Sequence, residues 1–348
     1  MSQEIASVTF PMETFYKGEV EAILEQGERE SYGGKEFYQT LQIEIEDKFD
    51  QEVTLEIPYA TAITTKNVRR YEEGDRVVVL ETRIEEEVRY NVMEHYRTPE
   101  VGILAALFVA VVIIVAGRKG FRSLVGLAIT LAIIAGWMLP QILEGKNAFW
   151  ISIESAVVIA SITLYLAHGF HRQTTLALAS TLSTFFITVV LTSIAVKFTN
   201  LFGMGSEDVS YLTFGDFPNL DLRGLVLGAI VIGTLGVLDD ITVSQTSVVH
   251  ELHAANPKLS RKELLRSGLN VGREHIASLI NTLVIVYVGA ALPVLLLVST
   301  ATHPFWVIFN NEAMMEEIVR TLLGSTSLIL AVPISTALAA HHYGKIRR

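Results

Sequence analysis

The chain has 348 residues, half of them hydrophobic, and its mean hydropathy is +0.41, which does not fit one ordinary soluble domain. Residues 1–98 contain 11 of the 27 Lys and Arg residues and 22 of the 37 Asp and Glu residues, a net charge of −11, whereas residues 99–348 have a net charge of +1. This acidic first segment argues against nucleic acid as a partner, because it would repel phosphates. The absence of Cys excludes disulfides and thiolate metal sites.

Residues 1–98 are predicted to form a small all-β domain. Alternating apolar and polar residues mark five strands: Lys17–Gln26, Phe37–Asp47, Glu52–Ile57, Arg76–Thr82 and Val88–His95. Five short antiparallel strands with one apolar face predict an OB-like barrel. Thr98-Pro99 breaks the pattern, so we place the boundary between two domains there, with residues 99–348 as the second.

Residues 99–348 contain seven apolar runs, each near the length of about 20 residues that a helix needs to cross a bilayer. The runs are Val101–Ala116, Leu124–Pro140, Phe149–Ala167, Leu176–Phe198, Gly224–Val249, Ala277–Ser299 and Ile318–Ala340. The sequence therefore predicts an α-helical multipass domain of seven transmembrane helices in the cell membrane, with the lipid bilayer as its partner.

The orientation follows from the Lys and Arg residues in the connections between the runs. One alternating set of connections contains 12 of them and the other set contains 4. By the positive-inside rule the C terminus is cytoplasmic and residues 1–98 are extracytoplasmic. Residues 1–98 contain no apolar stretch that could act as a signal, so we expect a native signal or anchor helix to precede them.

The fifth run carries two adjacent acids, Asp239 and Asp240, at membrane depth. An ionised Asp there costs about 2.5–3.5 kcal/mol, so the pair needs compensation. Ser244, Ser247 and Glu251 follow Asp240 at i+4, i+7 and i+11, which puts them on one helix face. This pattern predicts a proton or cation site that faces a cavity. The alternative is a protonated, hydrogen-bonded pair with a packing role.

The sixth run offers partners for these acids. Glu274, Ser278 and Asn281 share one helix face, and the Asn281 amide could bond Asp240. The stretch Gly289–Pro293 predicts a kink or a broken helix, which membrane proteins tolerate where the backbone lines a cavity. Seven of the nine histidines lie at the predicted cytoplasmic ends of the runs, so a metal site there is left open. No cofactor is indicated.

The segments Gly233–Leu252 and Gly272–Pro293 carry a family resemblance. At these residues the chain resembles the YibE/F family of bacterial multipass membrane proteins, and the likeness extends from the first domain through Pro333. The resemblance implies a permease with an N-terminal anchor helix and a single Asp after a Gly-rich stretch. This chain has two, Asp239 and Asp240, so the active one stays open, although Asp239 follows the Gly-rich run more directly.

Three functions are carried forward. The first is a secondary transporter of an ion or small solute, coupled to protons or cations through the intramembrane acids, and not an enzyme. The second is a scaffold or sensor that does not transport and acts through its extracytoplasmic domain. The third is an intramembrane aspartyl hydrolase, which is weaker because no second Asp lies at matching depth in another run. Assembly as a homo-oligomer is left open.

Overall fold

The computed structural model describes residues 12–31, 34–46, 52–62, 69–84, 87–205, 209, 212, 217, 219–290, 292–300 and 304–344. The chain divides into two compact units, Met1–Val111 and Val112–Arg348, and each is described by itself. The division lies inside the first long helix, whereas the sequence places the domain boundary at residue 98. The predicted strand end at Asp47 lies outside the described residues.

The first unit contains a five-stranded antiparallel sheet in the order β3-β2-β1-β4-β5. All five predicted strands are present, most of them longer than predicted: β1 (Met12–Ser31), β2 (Gly34–Glu46), β3 (Glu52–Ala62), β4 (Arg76–Ile84) and β5 (Glu87–His95). β1 pairs with both β2 and β4, and the edge strands β3 and β5 approach each other. The sheet is therefore curled into a half-barrel.

The concave face of the sheet holds the apolar core that the alternation predicts. Its fully buried members are Val20, Leu41, Ile43, Ile57, Tyr71, Val77 and Val79. Gly18 lets β2 come close, because a Cβ there would lie 2.6 Å from Ile43 Cγ2. The ladder between β1 and β2 is irregular just after this point, between Val20 and Ala22, which adds local twist to the long strand.

Gln39 is a buried polar residue inside this core, and its side chain pairs with the backbone of Tyr71 as a neighbouring strand would. Its side chain is 1% exposed, Nε2 donates to Tyr71 O at 2.9 Å, and Oε1 accepts from Tyr71 N at 2.9 Å. Gln39→Leu would leave both backbone groups of Tyr71 buried and unsatisfied, so we expect a loss of about 2–4 kcal/mol of local stability. Hydrogen exchange of the peptide covering residues 69–84 in the full chain should rise sharply. Gln42→Leu, a half-buried position on the same strand whose side chain makes only a solvent-exposed hydrogen bond to Glu21, should leave it unchanged.

After the sheet, the chain forms one long apolar helical segment. It consists of α1 (Thr98–Ile133), a π turn (Ile134–Met138) and α2 (Leu139–Leu143). It is interrupted at Gly117, whose φ of 56° and ψ of −134° suit only glycine. A Cβ at Gly120 would lie 2.6 Å from Val112 O, although eight residues of continuous helix span about 12 Å. The helix therefore turns back at Gly117, between the first two predicted runs.

The remaining helices of the second unit are α3 (Ala148–His168), α4 (Arg172–Phe198), α5 (Leu222–Ala255), α6 (Arg261–Ala290), α7 (Leu292–Thr300), α8 (Phe305–Phe309) and α9 (Glu312–Tyr343). Six helical segments among the described residues are long and apolar enough to cross a membrane, the first being Thr98–Leu143. The chain is thus a multipass membrane protein. α6 ends at Ala290 and α7 begins at Leu292, and residue 291 between them lies outside the described residues, so the break that Gly289–Pro293 predicts stays a prediction.

Asn and Asp residues mark where three of these helices begin. Asn147, Asp221 and Asn311 accept hydrogen bonds from the backbone N–H groups of Trp150, Gly224 and Ala313 at the starts of α3, α5 and α9. α5 is the central helix and packs against α3, α4, α6 and α9. Its apolar side chains Val231, Leu235, Leu238 and Ile241 form the core with residues of α3, α4 and α9. This packing decides which side of α5 each acid faces.

Candidate functional site

Asp239 lies on the side of α5 that faces α4. The residue is half-buried, and its Oδ1 is shielded from solvent and has no hydrogen-bond partner among the residues that the structure describes. The Thr181 hydroxyl of α4 is close enough to interact with the carboxyl group. Thr181 Oγ1 also lies 2.7 Å from Thr242 Oγ1, which donates to the Asp239 carbonyl at 3.2 Å. At the α4–α5 interface the carboxyl group therefore lies beside a hydroxyl of α4, while the Asp239 backbone carbonyl accepts from a hydroxyl of its own helix.

The buried face of α4 is made of hydroxyl side chains. Thr181, Thr184, Thr188 and Thr192 recur at i, i+3, i+7 and i+11, and all four are 0% exposed. The Thr188 hydroxyl donates to Ser327 Oγ on α9 at 2.7 Å, whereas Thr192 Oγ1 has no partner. Sequence reasoning treated this run only as apolar, although the helical spacing of its threonines was a signal that could have found this face.

A buried glutamine extends the polar interior along α5. Gln245 is 3% exposed, and its Nε2 donates to Gly268 O at 2.8 Å and to Thr336 Oγ1 at 2.7 Å. The bond to Gly268 requires α6 to come close, and a Cβ at Gly268 would lie 2.7 Å from Thr336 Cγ2. Hydroxyl and amide groups thus join α4, α5, α6 and α9, and Asp239 supplies a carboxylate at their edge.

The predicted stripe beside Asp239 lies on a different face of α5. Asp240, Ser244 and Glu251 are exposed and Ser247 is half-buried, as expected when adjacent residues point about 100° apart. Ser244, Ser247 and Glu251 line an open groove of about 610 Å³. Asp240 is close enough to His168, at the end of α3, for an electrostatic interaction. The two adjacent acids therefore have different surroundings, which the sequence alone did not separate.

The predicted partners on α6 face away from the bundle. Glu274, Ser278 and Asn281 are exposed, because Leu279 and Leu283 of the same helix pack against the core. Among the described residues, no hydrogen bond joins Asn281 to Asp240. The structure therefore does not bring the α5 and α6 stripes together in the single chain.

The histidines near the end of α5 form an aromatic cluster. The rings of His250 and His253 lie 5.1 Å and 5.7 Å from that of Tyr343, centroid to centroid, and their Nδ1 atoms are shielded without partners. Within the part of the chain that the structure describes, no group of three or more His, Asp or Glu side chains could hold a metal ion. The arrangement indicates packing at a helix end.

Comparison with known proteins gives a family. Residues 104–345 match the model of a family described as YibE/F-like protein, which covers more than half of the chain and includes every site residue named above. No curated protein and no solved structure matches the chain significantly. The match confirms the resemblance seen at Gly233–Leu252 and Gly272–Pro293.

Proposed function

The chain belongs to the YibE/F-like family, and from that premise we propose that it is a secondary transporter of an ion or small solute, coupled to a proton or another cation through Asp239. The observation that carries this proposal is the shielded Asp239 Oδ1 without a hydrogen-bond partner. The carboxyl group lies next to the Thr181 hydroxyl of the packed helix α4, which in turn contacts the Thr242 hydroxyl of α5.

An unsatisfied buried acceptor costs about 1–3 kcal/mol, and more when it is charged. If the side chain served only for packing, an apolar residue of similar size would avoid that cost. A carboxyl group that exchanges a proton or cation must instead keep an oxygen free for it. Intramembrane acids of this kind mark ion and proton pathways in transporters.

The topology belongs to the same proposal. The turn at Gly117 supports two crossings within Thr98–Leu143, which gives seven crossings in all and places the C terminus in the cytoplasm. The acidic half-barrel then lies outside. Its strand order and the approach of β3 to β5 support an OB-like domain. A cysteine introduced at Gly74, on an exposed turn between strands, would react with an impermeant reagent only from outside.

Asp240 receives a lesser role. It is exposed on α5, so its oxygens are not shielded as the Asp239 Oδ1 is. The geometry does not favour an aspartyl hydrolase. Its catalytic dyad needs two carboxylates that share one site, whereas those of Asp239 and Asp240 face different surroundings.

The test is proton flux in liposomes that contain the full chain and a trapped pH-sensitive dye, with small ions and amino acids offered as solutes. Asp239→Asn should lower the solute-dependent flux at least about tenfold, equivalent to about 1.4 kcal/mol. Asp240→Asn should lower it less. Glu144→Gln, an exposed carboxylate outside the helices, is the matched control and should behave as wild type. Equal flux in the wild type, both single variants and the double variant would refute the coupling role.

A further inference from the structure

A separate cavity of about 450 Å³ lies where α4 ends and α5 and α9 begin. This is within the size range of small-molecule sites. Its apolar wall is formed by Leu225, Val226 and Ala229 of α5 and Met314 of α9. Its charged rim, Glu316, Glu317 and Arg320, comes from α9 alone.

The wall beside the rim is a short segment held in place by α9. Glu312 Oε1 accepts hydrogen bonds from the backbone N–H groups of Phe202, Gly203 and Met204 at 2.6, 2.8 and 3.3 Å. Gly203 has a φ of 90°, which favours glycine. A Cβ at Gly205 would lie 2.8 Å from Glu316 Cδ. The cavity thus has a defined wall and is not a gap between loosely packed helices.

The charges on the rim are incompletely used. Arg320 Nη1 pairs with Glu317 at 2.9 Å, but its shielded Nε has no partner among the described residues. Within the same part of the chain, Glu316 accepts one bond, from Gly205 N at 3.3 Å, through a single carboxylate oxygen. A guanidinium with spare donors and a carboxylate with a spare oxygen, one helix turn apart on α9, therefore border an apolar surface.

We propose that this cavity binds a small zwitterion with the chemistry of an apolar amino acid. Its ammonium group would bind Glu316, its carboxylate would bind Arg320, and its aliphatic side chain would lie against Leu225, Val226 and Met314. A ligand with a single charge of either sign would bind only one of these two rim residues. As a statement about the transported solute this inference rests on the proposed function, but the binding can be measured without any transport.

The experiment is calorimetric titration of the full chain in lipid nanodiscs with four probes. L-leucine and leucyl-leucine carry both charges, leucine amide carries only the cation, and 4-methylpentanoate carries only the anion. L-leucine should bind at least about tenfold more tightly than either singly charged analogue. Leucyl-leucine that binds more tightly than L-leucine would support the same chemistry with a peptide as its source.

Three variants test the residues. Glu316→Gln and Arg320→Gln should each weaken L-leucine binding about tenfold or more, whereas the exposed pair variants Glu144→Gln and Lys146→Gln should not. Ala229→Phe keeps all charges and fills the cavity, so it should abolish binding in a folded protein. No saturable heat with any probe, equal affinity for L-leucine and leucine amide, or unchanged binding in Ala229→Phe would overturn the inference.

The outcomes separate the two proposals. Asp239→Asn should bind L-leucine as the wild type does, because Asp239 does not line this cavity. Solute-dependent flux that needs Asp239, in a protein without L-leucine binding, would refute the zwitterion site and leave the transporter proposal standing. Binding with the predicted charge dependence, in a protein without flux, would support the zwitterion site and refute the transporter proposal.

Discussion

Gly272→Leu should cost about 3 kcal/mol or more and prevent α6 from docking on α9. A Cβ at Gly272 would overlap Val332 Cγ1 and lie 3.1 Å from Gln245 Nε2. Overpacking of a tight core usually costs about 1–3 kcal/mol, and here the added atoms meet a side chain that is 1% exposed and cannot move aside. Small residues are what allow helix backbones to approach closely in a membrane.

The measurement is the apparent melting temperature in detergent, together with the yield of monodisperse protein. Gly289→Leu is the matched control on the same helix, because nothing lies within 4 Å of a Cβ at Gly289. We expect the control to melt as the wild type does. A Gly272→Leu protein as stable as the control would show that α6 does not pack as described.

Gln245→Leu should also destabilise the helical unit, with a loss of about 1–3 kcal/mol. It removes two hydrogen bonds, to Gly268 O and Thr336 Oγ1, each worth about 0.6–1.7 kcal/mol between helices in a membrane. The Gly268 carbonyl is released from its partner near a crowded helix crossing, which adds to the cost. The hydroxyl of Thr336 keeps its bond to Val332 O at 2.6 Å, which limits the loss.

Thermal unfolding in detergent measures this loss, and hydrogen exchange of the α6 peptide around residue 268 locates it. Asn270→Leu, at an exposed position on α6, is the control and should change neither quantity. If Gln245→Leu raised the melting temperature without faster exchange at residue 268, the bonds of Gln245 would not be holding α6 to α5.

The strands and most of the helices could be predicted because their signals are local. Alternation along Arg76–Thr82 and the hydropathy of Leu176–Phe198 each reflect the surroundings of one element. Long apolar runs and alternating residues are therefore readable without any neighbour.

The direction in which each site residue faces depends on the neighbouring helices, and for that reason it was harder to predict. The spacing Asp240, Ser244, Ser247 and Glu251 marks one side of α5, but only the positions of α4 and α9 determine that Asp239 faces inward. The same holds for Asn281, which is exposed because Leu279 of the same helix packs against the core. The threonines of α4 were missed for another reason, since a hydropathy average hides a polar face on an apolar helix.

The hydroxyls between α4 and α9 have one more consequence. When the bond between Thr188 and Ser327 opens, Thr188 can donate to Thr184 O at 3.0 Å and Ser327 to Leu323 O at 2.7 Å, so neither proton loses an acceptor. Two helices joined in this way can slide or tilt past each other at little enthalpic cost. Interconversion between arrangements of the bundle would then be fast, and freezing it would require replacing these hydroxyls by groups that interlock.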